Sequence, residues 1–124
     1  MNRILIVAAL AVSASLAKAQ AVNVALSEWK VGLDRDTVQA GSVTFKVKNS
    51  GTMTHAFYVR GEGVAKGSRE IPAGQETLLT VTLKPGSYEL YCPLSDLTHK
   101  TAGMSRTLVV TAGDKTAMPK KPGS

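Results

Sequence analysis

Val43-Thr44-Phe45-Lys46-Val47-Lys48 sets three apolar side chains in strict alternation with three polar ones. A period of two is the signature of a strand with one face on a core and the other in water. Working outward, the period stays near two. Upstream, Val22, Val24 and Leu26 alternate with Asn23, Ala25 and Ser27 as a first strand. Trp29, Val31 and Leu33 continue the alternation, as a bend in that strand or as a second one, and Asp34-Arg35-Asp36-Thr37 is polar and turn-like. Downstream, Asn49-Ser50-Gly51-Thr52 is a turn cluster. His55-Ala56-Phe57-Tyr58-Val59 then reads as a strand with His55, Phe57 and Val59 on one face. The segment 61–68 is a Gly-rich connection without phosphate-loop spacing, read as loop, and Ile71-Pro72-Ala73-Gly74 is another turn. Thr77 to Leu83 is a β-branched and leucine-rich strand, and Lys84-Pro85-Gly86 turns into Ser87 to Cys92. Leu108-Val109-Val110 closes the pattern as a buried-strand run. No helical period, repeat or heptad follows residue 19. Seven to eight short strands with turns between them predict an all-β fold, a two-sheet antiparallel Greek-key sandwich or barrel.

The two ends of the chain differ from this pattern. Met1-Asn2-Arg3 is a positive start, Ile4 to Leu16 is apolar or small, and Ala17-Lys18-Ala19 offers a cleavage site. Residues 1–19 therefore read as a signal peptide, too short in its apolar run to span a membrane. Cleavage after Ala19 leaves 105 residues, one domain over 20–112 and a basic, flexible tail over 113–124. The full chain carries +6, and the mature one keeps +4 because Arg3 and Lys18 leave with the signal. Its positive charges are scattered and not interleaved with aromatics, which argues against nucleic acid. The expectation is a periplasmic or otherwise exported monomer with no membrane span after cleavage.

Export makes the single cysteine conspicuous. Small exported domains use cysteines in pairs, and a lone exposed thiol in an oxidising compartment is a liability. Cys92 is therefore buried as a small hydrophobe, paired with another chain, or bound to a metal ion. Tyr91-Cys92-Pro93-Leu94-Ser95-Asp96-Leu97-Thr98-His99-Lys100-Thr101-Ala102-Gly103-Met104 holds that cysteine with one of the two histidines and one of the four methionines. The other histidine, His55, opens the predicted strand after the turn at residues 49–52. Thiolate, imidazole and thioether are soft or borderline donors, a set that suits copper and not calcium or magnesium. In a sandwich, strand ends and loops gather at the poles, so these donors are cheap to bring together.

These segments, with Asn49-Ser50-Gly51 ahead of His55, resemble the cupredoxins, the blue copper proteins, and within them the plastocyanin-like group. The resemblance runs over the whole mature domain in strand order. It implies one copper ion held by His55, Cys92, His99 and Met104, with Met104 as weak axial ligand and His99 as the edge through which electrons pass. Met53, two residues before His55, competes with Met104 for the axial position; its alternative role is an apolar rim with Leu94 and Leu97 around His99. Two features depart from the family. Six residues separate Cys92 from His99 where small members have two to four. The position after the upstream histidine, often polar and joining the two ligand loops, is Ala56, so that Asn49, Ser50 or Thr54 must substitute or the loop is looser.

The function implied is that of a one-electron carrier, not an enzyme, meeting a redox protein transiently near His99. The alternatives are a copper-storage or delivery protein using the same donors, and a metal-free sandwich interaction domain. The last requires Cys92 buried and the two histidines too far apart to share an ion.

Overall fold

The computed structural model describes residues 20–112; the expected signal peptide and basic tail lie outside that range. Nine strands form two sheets. They are β1 (Gln20–Ser27), β2 (Lys30–Leu33), β3 (Thr37–Gln39), β4 (Gly41–Asn49), β5 (Tyr58–Gly61), β6 (Val64–Gly67), β7 (Glu76–Leu83), β8 (Gly86–Tyr91) and β9 (Ser105–Thr111), with one helical turn, α1 (Thr98–Thr101), before β9. One sheet has the order β2-β1-β4-β7 and the other β3-β9-β8-β5-β6. The inward residues are those the alternation selects: Val22, Val24 and Leu26 from β1, and Val43, Phe45 and Val47 from β4. They pack against Val59, Tyr88, Leu90, Leu108 and Val110 of the other sheet, and the Phe45 and Phe57 rings meet 5.1 Å apart.

The two-sheet sandwich is the one expected, with two refinements. There are nine strands because Trp29 turns the chain and β2 is a separate strand, and because Thr37 to Gln39 and Val64 to Gly67 add short edge strands where turn and loop were expected. The sheets are also mixed: β1 pairs with β4 in parallel, from Gln20↔Val43 to Leu26↔Asn49, and β3 pairs with β9 in parallel. Such a pairing needs a long crossover. Residues 28–40 supply it, running through β2 and across to β3 before returning as β4.

Two further expectations are corrected. His55 to Val59 is not a continuous strand. His55 makes an isolated bridge to Ile71, β5 begins only at Tyr58, and His55, Ala56 and Phe57 are all buried. Their successive N–H groups donate to three different partners, the Ile71 carbonyl, Cys92 Sγ and Ser68 Oγ, so no ladder forms and no alternation results. At the C-terminal end, β9 alternates: Leu108 and Val110 are buried and Val109 faces out.

Candidate metal centre

The parallel register decides what meets at one pole. Because β1 and β4 run the same way, the turn after β1 lies beside the loop after β4, and Ser50 N–H donates to the Leu26 carbonyl at 2.7 Å. Asn49, fully buried, braces that loop from within. Its Nδ2 donates to the carbonyls of Met53 and Ile71 at 2.7 and 2.8 Å, and its Oδ1 accepts from Gly51 N–H at 2.9 Å. These bonds brace the His55 loop on itself and on Ile71, while the link to the cysteine side comes from the Ala56 backbone, whose N–H donates to Cys92 Sγ. His55 is held behind it by reciprocal backbone bonds with Ile71, at 3.1 and 2.7 Å.

From the other sheet, β8 ends at Tyr91, and Pro93, without an N–H, stops further pairing. Cys92 N–H donates to the Met104 carbonyl at 3.2 Å and Met104 N–H to the His99 carbonyl at 3.1 Å. The long spacing from Cys92 to His99 is taken up compactly. Ser95, Asp96 and Leu97 are three successive non-glycine residues in the left-handed region, with φ of 57°, 59° and 71°. Each costs of order 1–3 kcal/mol. The turn they make leads into α1 and folds His99 back beneath the loop. Lys100 anchors α1 outside: its Nζ lies 3.1 Å from Glu89, which also accepts from Arg60 at 2.6 Å and from Ser105 Oγ at 2.8 Å. Arg60 and Lys100 both lie over the Tyr91 ring, 4.9 and 5.2 Å from its centroid.

The result is a tight convergence. His55 Nδ1 and His99 Nδ1 are 3.3 Å apart, and Cys92 Sγ is 3.6 Å from His99 Nδ1. One donor atom from each of the three residues lies within 4.8 Å of the others, and all three side chains are buried. The Ala56 N–H points at Cys92 Sγ from 3.4 Å. Burial, with repulsion from His55, pushes the His99 pKa down against the opposing pull of Glu28, which keeps its ring a neutral donor. Buried donors with each other as neighbours fit a thiolate-accepting, borderline-to-soft ion. The metal-free alternative required the histidines to lie apart; they do not. Met104 is wholly buried in the core, whereas Met53 is 42% exposed. His99 is only 5% exposed, so it is not an open edge; of the leucines expected around it, Leu97 is exposed and Leu94 packs on the core.

Two residues of the site escaped the sequence reading. Glu28 and Trp29 form the turn between β1 and β2. Glu28 Oε2 lies 3.1 Å from His55 Nε2. Burial opposes ionisation of this carboxyl, but hydrogen bonds from Met53 N–H, the His55 ring and Thr52 N–H hold its pKa below the ordinary value. The Trp29 indole meets the His99 ring edge-on at 5.2 Å. No periodic pattern links residue 28 to residue 55; the only signal in the sequence is that Glu28 is the sole acid before Asp34.

The cupredoxin-like domain profile matches residues 2–110 of the chain. No curated protein matches it in sequence. Among solved structures, the dithionite-reduced auracyanin of Roseiflexus castenholzii is similar at 18% identity, TM-score 0.61, over 78% of this chain and 99% of that one. Auracyanin A of Chloroflexus aurantiacus, a blue copper protein, is similar at 17% identity, TM-score 0.61, over 76% and 100%. The blue copper oxidase of Nitrosomonas europaea shares the fold at 14% identity, TM-score 0.59, over 79% of this chain and 40% of its own. At these identities the likeness is one of fold.

Proposed function

The chain belongs to the cupredoxin-like domain family, and from that premise we propose that it is an exported type 1 copper protein that carries single electrons between redox partners. The observation that carries the reading is the buried convergence of His55, His99 and Cys92, each with a donor atom within 4.8 Å of the others. Copper bound there supplies a one-electron couple whose two states favour different geometries, with a trigonal His2Cys set between them. His55, His99 and Cys92 would hold the ion through two imidazoles and a thiolate, and Met104, whose burial favours it over Met53, would supply a weaker thioether sulfur. The chain's contribution is rigidity. Asn49, the His55–Ile71 bridge and the Cys92–Met104–His99 backbone bonds resist movement of the donors, so oxidation and reduction proceed with little rearrangement. The leader at residues 1–19 supports export to a periplasm, and a carrier of this kind meets its redox protein in a small, transient contact. Its task is transfer and not turnover of a substrate.

The test is direct. Residues 20–124 with one equivalent of Cu(II) are expected to give an intense red-region absorption band that mild reductant bleaches reversibly and Cys92→Ser abolishes. Tight Cu(I) binding with no stable coloured Cu(II) form would overturn electron transfer in favour of copper storage or delivery.

A further inference from the structure

The turn between β1 and β2 reaches the histidine pair from outside the donor set. Glu28 Oε2 lies 3.1 Å from His55 Nε2, the ring nitrogen on the far side from the Nδ1 that meets His99. The same oxygen accepts Thr52 N–H at 2.9 Å and Met53 N–H at 3.1 Å. Those two bonds fix the carboxylate on the loop that carries His55. Gly51 leaves the room it needs, since a Cβ at that position would overlap the Glu28 carboxylate. A carboxylate held by two backbone donors, in a seat open only beside glycine, has a defined orientation towards the ring.

We propose that Glu28 is the positioning residue for His55: it holds the imidazole proton on Nε2, leaves the Nδ1 lone pair for the metal, and fixes the plane of the ring. A neutral imidazole has one N–H and one acceptor nitrogen, and an ionised carboxylate only accepts. With the carboxylate at Nε2, the proton belongs there and Nδ1 is the free donor. The consequence at copper rests on the proposed function; the tautomer does not. A fixed negative charge behind a ligand ring stabilises the more positive, oxidised ion over the reduced one, so Glu28 holds the midpoint potential down.

The full chain tests both parts. In metal-free protein at mildly alkaline pH, NMR of the ring nitrogens is expected to place the His55 proton on Nε2. Glu28→Gln should keep it there, because the amide oxygen still accepts, and Glu28→Ala should spread it over both nitrogens. With copper, Glu28→Gln should favour the reduced ion about tenfold, a rise of about 59 mV for one electron. If Glu28→Ala does not fold, Gly51→Ala, which displaces the carboxylate without removing it, takes its place. A His55 proton on Nδ1 in the native chain, a tautomer unmoved when the carboxylate is lost, or an unchanged midpoint in Glu28→Gln overturns the inference. The expected tautomers in a chain that takes up no copper overturn the copper reading alone.

Discussion

Met104 and Met53 carry the same thioether at the same pole, and burial separates them. Met104 lies wholly within the core, tied by its backbone to both Cys92 and His99, while Met53 is 42% exposed on the loop before His55. A weak axial sulfur tunes a blue copper potential without being needed for the thiolate band. Met104→Leu is therefore expected to retain the colour and shift the midpoint upward, with Met53→Leu leaving it unchanged; voltammetry of the two variants compares them directly. An equal shift in both, or a shift in Met53→Leu alone, would move the axial role to Met53.

Elements act at the site through their ends. The β1–β2 turn is clamped between two glycines, Gly51 under the Glu28 carboxylate and Gly103 against the Trp29 backbone. Gly103 has φ +133°, and a Cβ there would lie 2.5 Å from the Trp29 carbonyl oxygen. Both strain and overlap oppose any larger residue. Gly103→Ala is expected to cost about 2 kcal/mol in denaturant unfolding of the metal-free protein and to move Trp29 off His99. Trp29 is the only tryptophan of the chain, so its fluorescence reports that movement. Quenching by Cu(II) should be strong in the native protein and weaker in Gly103→Ala.

The molecule as a whole responds to two ligands, metal ions and protons. An ion that binds only the folded site stabilises it by mass action, about 4 kcal/mol at about a thousandfold excess over Kd. For a domain of this size that corresponds to roughly 4–8 °C in Tm per kcal/mol. Copper should raise Tm accordingly and a chelator reverse the gain; Cys92→Ser should show neither. Acid acts in the opposite sense. Burial opposes ionisation of Glu89, but hydrogen bonds from Ser105, Arg60 and Lys100 hold its pKa below the ordinary value of 4.5, and Glu28 is likewise lowered. The unfolded chain therefore takes up protons first. The stability these groups contribute is present above pH 4.5 and lost as pH falls through their lower folded values. Urea midpoints of the metal-free domain measured down that range should fall, and less steeply in Glu89→Gln.

The alternation around Val43, Phe45 and Val47 determined the strands, and with them the sandwich, because a period of two can bury only one face. The sequence also held the donor set, since one cysteine, two histidines and a methionine at strand ends are chemically specific wherever they lie. It did not hold the order in which strands meet. Parallel pairing of β1 with β4 brings Glu28 to His55 and Trp29 to His99 across 27 and 70 residues, and no local pattern encodes a contact of that range. The burial of His55, Ala56 and Phe57 together was hidden for the same reason: each N–H finds a partner on a different element. Local chemistry chose the residues of the site, and the crossover between sheets chose their neighbours.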